Sequence, residues 1–317
     1  MCAGTVLKNN VKPAKKIKAE GMMQERQIAR EISYASSAQT RGGRALIKLM
    51  ENATGRVKLM RRARGYEKDI AQGQSFWNVM VQRYGLSLDI INGSLDSIPR
   101  NGPLILVANH PYGILDGLMM GYILSLVRGD FRILANQVFN KADELSQIVL
   151  PISFDETKDA VKLNLAARKF ALDYLANDGA IGIFPGGTVS TALNPFSRPM
   201  DPSWRSFTAR MIAKSTAQVV PIFFDGHTSR MFQIASHLHN TLRMGLLINE
   251  FRSRVGSPVR VSIGDPISRE EITHKSNDAK SMMDFLRRKT YELSPTPLET
   301  FEYGFEFEDH HKVKRRA

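Results

Sequence analysis

A single cysteine, Cys2, stands in 317 residues. The chain therefore has no intramolecular disulfide and no cysteine-rich metal site, as suits a reducing cytosol. Long apolar runs are missing too. The most apolar span, Leu115 to Val127, is too short and too interrupted to cross a bilayer. No continuous apolar stretch follows the basic N-terminus, so a signal peptide is not expected. A Gly-x-x-x-x-Gly-Lys-Ser/Thr nucleotide loop is absent, as are a Gly-x-Ser-x-Gly hydrolase elbow and the interleaved aromatic and basic residues that would suggest nucleic acid. His227, His237 and His239 come without a supporting cysteine or acidic cluster, so no metal is expected and they read as surface or helix-end residues.

What is present begins with charge. The formal net charge is +13, and residues 1–72 hold 16 Lys or Arg against 6 Asp or Glu, which places +10 of it there. Residues 1–20 read as a disordered basic tail. Residues 21–84 read as a basic helical segment broken at Gly42-Gly43, Gly55 and Gly65, with Ala45, Leu46, Leu49 and Met50 interleaved with Arg44, Lys48, Arg56, Lys58, Arg61, Arg62 and Arg64. Such an amphipathic helix suits an anionic membrane surface; a solvated face packed on the main domain is the competing reading.

From residue 85 to 295 short apolar runs alternate with helical periodicity. Strands are expected at Leu86–Ile91, Leu104–Ala108, Phe131–Ala135, Ile148–Phe154, Ala180–Phe184, Gln218–Phe224 and Val259–Ile263, and helices at Asp159–Ala176, Trp204–Ser215 and Leu242–Arg254. The alternation predicts an α/β domain with a mostly parallel central sheet flanked by helices and chemistry at strand ends. Residues 296–317 read as a C-terminal tail, whose basic end Lys312–Arg316 is expected to be solvated.

Two turns carry the chemistry. In Asn109-His110-Pro111-Tyr112-Gly113-Ile114-Leu115-Asp116-Gly117 an imidazole and a carboxylate share one turn directly after an apolar strand. A His there can take a proton from an attacking group while Asp116 orients the ring and stabilises the imidazolium. The alternative makes His110 a helix cap and Asp116 a solvated helical residue. The second turn is Phe184-Pro185-Gly186-Gly187-Thr188-Val189-Ser190, after another apolar strand. Its consecutive N–H groups and the hydroxyls of Thr188 and Ser190 can form a small anion-binding concavity. Phe223, Phe224, Phe232 and Leu238 can line an acyl channel, though core is the commoner role for such spacing.

Together these turns resemble the lysophospholipid and glycerolphosphate acyltransferase superfamily, and within it the bacterial haemolysin-like branch. Its first motif, Asn-His followed by Asp, is matched at Asn109, His110 and Asp116; its third, Phe-Pro-Glu-Gly-Thr-Arg-Ser, at Phe184, Pro185, Gly187, Thr188 and Ser190. Leu150–Asp155 and Val219–Phe223 echo the second and fourth. Five residues separate His110 from Asp116 where most of the superfamily has four, a longer turn the haemolysin-like branch shares. Gly186 and Val189 replace the third motif's glutamate and arginine, and the second lacks its arginine after Asp155.

The resemblance implies an acyltransferase of phospholipid or related lipid metabolism with His110 and Asp116 catalytic and no cofactor. Asn109, Gly113, Phe184, Pro185, Gly186, Gly187, Thr188 and Ser190 would bind substrate. Arg205 and Arg210, on the helix after the glycine turn, are candidates to replace the arginine for which Val189 stands, against a plain solvated face. The donor would be acyl-carrier protein or acyl-CoA, and the acceptor a lysolipid or an amine. The protein would sit peripherally on the inner, cytoplasmic face of the cell membrane. The runner-up is a catalytically silent lipid- or membrane-binding module with the same fold.

Overall fold

The computed structural model describes residues 33–38, 40–136, 145, 147–153, 157–275 and 277–307. The expected tail 1–20, Asp155 of the second motif and Lys312–Arg316 lie outside them. Among the described residues a seven-stranded sheet forms the centre. Its strands are β1 (Ser87–Asn92), β2 (Leu104–Ala108), β3 (Arg132–Asn136), β4 (Val149–Ile152), β5 (Ala180–Ile183), β8 (Gln218–Phe224) and β9 (Pro258–Ile263), and a separate antiparallel pair joins β6 (Thr191–Ala192) and β7 (Pro199–Met200). The order across the large sheet is β1-β9-β8-β2-β5-β3-β4. All neighbours in it run parallel except β8 and β9. Each strand falls on one of the seven apolar runs.

The middle of the sheet is a continuous apolar run because it is covered on both sides. Every residue of β2 is fully buried, and its side chains alternate between two cores. Leu104, Leu106 and Ala108 join one with Trp77, Leu115 and Met119; Ile105 and Val107 join another with Leu175, Ile212 and Leu286. Helix α5 (Ile114–Val127), the apolar span that is too short for a bilayer, lies in the first of these. Helices α6 (Lys158–Ala176), α7 (Ser206–Ala213) and α11 (Ala279–Tyr291) cover the second. No described helix is long and apolar enough to cross a membrane.

The basic N-terminal segment contributes α1 (Arg41–Thr54), α2 (Arg56–Ala63), α3 (Tyr66–Ala71) and α4 (Phe76–Arg83). Breaks fall at Gly55 and Gly65 as expected, but Gly42-Gly43 lies inside the first turn of α1. There the Thr40 side chain accepts the N–H of Gly43 at 3.0 Å, a cap that offsets the poor helix propensity of two glycines. The segment is no separate body: Leu59, Trp77 and Tyr84 enter the main core. The remaining helices are α8 (Arg230–Leu238), α9 (Asn240–Arg254) and α10 (Arg269–Lys275).

This topology places the site. After β2 the chain crosses to β3, leaving room for β5 between them; after β5 it returns to the other side of β2 as β8. The carboxyl ends of β5 and β8 therefore flank that of β2, the point where a crevice opens in a doubly wound sheet.

Candidate active site

His110 follows β2 by two residues. Its Nδ1 stands 3.0 Å from Oδ2 of Asp116, and the imidazole is 18% exposed while the carboxylate is completely buried. Asp116 is thus not a solvated residue. The same Oδ2 accepts the N–H of Tyr112 at 2.7 Å and of Gly113 at 2.9 Å, reaching back to satisfy backbone donors at the N-terminus of α5. Gly113 must be glycine for this, since it sits at φ 76° with Val189 and Tyr34 close by. Burial pushes the Asp116 pKa above the ordinary carboxylate range, and His110 with the two backbone donors pulls it partly back. The arrangement serves the helix cap and the imidazole with one oxygen. His110 Nε2 has no protein partner among the described residues.

The glycine turn lies against this one. The Ser190 N–H donates to the His110 carbonyl at 2.8 Å, and the Phe184 ring stacks on the imidazole with centroids 4.3 Å apart. Gly187 closes the turn by donating to the Phe184 carbonyl at 3.0 Å. A Cβ on Gly186 would stand 3.3 Å from the carboxylate of Asp201, so the space where the resembling family carries a glutamate is bordered here by an acid from elsewhere in the chain. Asp201 is fully buried. Its Oδ1 accepts the His110 N–H at 3.2 Å and the Ser190 hydroxyl, while Oδ2 accepts the Trp204 indole N–H at 2.8 Å.

The predicted binding residues divide on inspection. Phe184 stacks on His110 and Gly113 donates to Asp116, while Pro185, Gly186, Gly187 and Thr188 follow in the same turn as Phe184, with Phe184, Gly187 and Thr188 half-buried. Asn109 is committed to the scaffold: its amide donates to the Phe224 carbonyl at 2.9 Å and accepts the Phe224 N–H at 2.7 Å, extending the β2–β8 pairing. Ser190 is spent on Asp201. Arg205 forms a two-pronged ion pair with Glu306 at 2.8 and 3.0 Å, and Arg210 is exposed on α7. Phe223, Phe224 and Phe232 are core, whereas Leu238 is 70% exposed.

Three contributors escaped the sequence reading. Asp201 is one. The second is Arg243 of α9, 1% exposed, whose Nη2 donates to Thr188 Oγ1 at 2.7 Å and to the Val189 carbonyl at 2.9 Å. Its signal was a cation on the stripe that also carries Leu246, Leu247 and Phe251, where a fourth apolar residue is the ordinary choice. The third is Tyr34, whose hydroxyl lies 3.4 Å from a Cβ placed on Gly113; Glu51 anchors this segment by accepting the Tyr34 N–H at 2.6 Å and the Ser33 hydroxyl at 2.7 Å. Residues 301–307 also pack on the domain: Gly304 donates to the Asp201 carbonyl and Phe305 to the Thr191 carbonyl, each at 2.9 Å.

Known proteins resemble this chain in sequence and in fold family. The lyso-glycine lipid O-acyltransferase of Phocaeicola vulgatus is 26% identical over 208 residues, 63% of this chain and 71% of that protein. The protein of the same name from Bacteroides thetaiotaomicron is 24% identical over 208 residues, 63% of this chain and 73% of that one. Among solved structures, the 1-acyl-sn-glycerophosphate acyltransferase PlsC of Thermotoga maritima aligns with 89% of this chain and 99% of its own at 15% identity and a TM-score of 0.42. The family described as acyltransferase matches residues 71–298, a stretch that contains both turns and every strand of the sheet. This chain belongs to that acyltransferase family.

Proposed function

We propose that the protein moves a fatty acyl group from an acyl thioester to the hydroxyl of a lysolipid with an amino-acid headgroup, using His110 and Asp116 as its base. The observation that carries this is the imidazole whose Nδ1 stands 3.0 Å from a buried carboxylate at the carboxyl end of β2, with no partner at Nε2 among the described residues. Nε2 takes the acceptor's proton as its oxygen attacks the thioester carbonyl. The tetrahedral intermediate then expels the thiolate, and the imidazolium returns the proton to sulfur. Asp116 stabilises the imidazolium in between. No acyl-enzyme is required.

Two features guide the acceptor. The Val189 side chain offers no donor to a phosphate, and the relatives named above are lyso-glycine lipid O-acyltransferases. A hydroxyl acceptor is therefore favoured over an amine, and an amino-acid headgroup over a free phosphomonoester. Acyl-carrier protein and acyl-CoA are both acidic and cytosolic, and a basic protein attracts either.

A peripheral membrane position rests on α1 and α2. Leu46, Leu49 and Val57 are exposed beside Arg41, Arg44, Lys48, Lys58 and Arg61, while Ile47 and Glu51 face inward. Each basic residue near an anionic surface contributes about 1 kcal/mol, so several give salt-sensitive binding.

The test is turnover by the full chain with radiolabelled palmitoyl-CoA or palmitoyl-acyl-carrier protein, a hydroxylated N-acylglycine and lysophosphatidate, in neutral and in anionic vesicles. Faster acylation of the N-acylglycine, with sedimentation onto anionic vesicles that salt reverses, is expected. Preference for lysophosphatidate, or equal binding to both vesicle types, contradicts the respective part.

A further inference from the structure

Arg243 is the largest fully buried side chain described. Besides Thr188 and the Val189 carbonyl, it donates through Nη1 to Thr191 Oγ1 at 2.6 Å and to Ser236 Oγ at 3.1 Å. The Phe307 and Phe232 rings cover it, with centroids 4.2 and 5.1 Å from the guanidinium carbon. Every one of these partners is neutral. Among the described residues no carboxylate stands within ion-pair distance of Arg243, and its Nε has no hydrogen-bond partner. Burial accordingly pushes its pKa down, to about 9, with only Tyr34 acting in the opposite direction. A cation taken out of water without an anion is expensive, and its hydrogen bonds to hydroxyls do not neutralise it.

What the charge does supply is polarity at the glycine turn. Thr188 accepts from Nη2, so its own hydroxyl proton must point elsewhere, and the residue is only half-buried. The N–H groups of Thr188 and Val189 have no partner among the described residues. A hydroxyl donor backed by a guanidinium, beside free backbone donors, is a cradle for an anion. It adjoins the His110 turn, since Val189 lies 3.1 Å from a Cβ placed on Gly113.

We infer that Arg243 selects the acceptor: acting through Thr188, it gives the glycine turn its affinity for the carboxylate of an acidic lipid headgroup, from a different part of the chain than the arginine replaced by Val189. This rests on the acyl-transfer reading of the dyad. Arg243 does not touch the ligand and is a positioning residue. Four of its five N–H donors are already committed, so it cannot fork onto a phosphomonoester; one polarised hydroxyl and backbone N–H groups suit a carboxylate with a single charge.

The experiment uses the full chain as wild type, T188V, T188S, R243K and R243Q. The probes are an N-acylglycine with a hydroxylated chain, its methyl ester and lysophosphatidate. KM and kcat are measured with palmitoyl-CoA as donor, and binding of each probe without donor by calorimetry. The wild type is expected to prefer the acid to the ester by about 30-fold, mostly through KM, the size of a hydrogen bond to a charged group. T188V and R243Q should reduce that ratio to about 3-fold or less, and T188S and R243K should restore part of it. A ratio preserved in T188V, or absent in the wild type, overturns the inference; T188V decides alone if R243Q does not fold. Tighter binding of lysophosphatidate than of the acid overturns the choice of carboxylate. The binding arm needs no turnover, so activity surviving in H110A would remove the dyad reading while the acid-to-ester binding ratio still judges Arg243.

Discussion

The two turns of this site are built by opposite means. The first supplies its own carboxylate: within seven residues, Asp116 caps α5, takes the N–H groups of Tyr112 and Gly113 and faces His110. The second, from Phe184 to Ser190, supplies little for itself. Its carboxylate comes from Asp201, 11 residues beyond Ser190, and its cation from Arg243, 54 residues beyond Val189. The difference separates two tasks. In the mechanism we propose, proton transfer depends on one distance that a tight turn fixes locally, whereas acceptor recognition depends on charge that elements elsewhere in the chain can change without disturbing the base.

The largest expected effect sharpens this division from the catalytic side. H110A should leave the fold intact and lower kcat by about a thousandfold or more, and D116N by a comparable factor, because the imidazolium loses its partner. Near-normal turnover in H110A at an unchanged Tm would remove the first turn from the chemistry. The acid limb of kcat/KM belongs to the pair. Asp116 has a higher pKa folded than unfolded, so the folded state takes up its proton more readily. The stability linked to it therefore rises as pH falls through that interval, and activity should decline before the Tm does. A Tm that falls in step with activity from the start of the limb would contradict this.

The same contrast explains what the sequence made legible. The central strands β2, β5 and β8 could be read because each is an apolar run bounded by turn residues, and burial on both faces demands that pattern. The antiparallel direction of β9 could not, since its alternation in Pro258–Ile263 is the same whichever way its neighbour runs. His110 and Asp116 were visible because they are local. Asp201 and Arg243 were not, because each is a single charge in an unremarkable stretch that acquires meaning only when α9 and β7 come to rest beside the glycine turn. Arg205 was a reasonable candidate by proximity in sequence, but Glu306 already occupies its guanidinium.

Asp201 tests whether the turns are separable at all, because it touches both. In D201N one end of the amide must face donors: either the His110 N–H with the Ser190 hydroxyl, or the Trp204 indole. A buried mismatch of that kind costs about 1–3 kcal/mol. A Tm lower by several degrees and a kcat reduced about tenfold are expected, with the acid-to-ester preference of the acceptor retained. Loss of that preference in D201N, with kcat unchanged, would mean that Asp201 serves recognition rather than the placement of His110.

The smallest effects distinguish arginines that look alike in sequence. Arg205 and Glu306 are 13% and 10% exposed and joined by two short hydrogen bonds. R205A leaves a largely buried carboxylate without this partner, which lowers stability, and removal of both partners in R205A/E306A should recover part of the loss. Neither variant should shift the acceptor's KM by more than about twofold, because that cation already faces an anion of its own chain. Arg210 is exposed, and R210A should move stability by no more than about 0.5 kcal/mol. Thermal melts and KM measurements across R205A, R205A/E306A and R210A check this together. A severalfold rise in KM for R205A or R210A at unchanged Tm would return acceptor recognition to α7 and leave Arg243 without the task assigned to it.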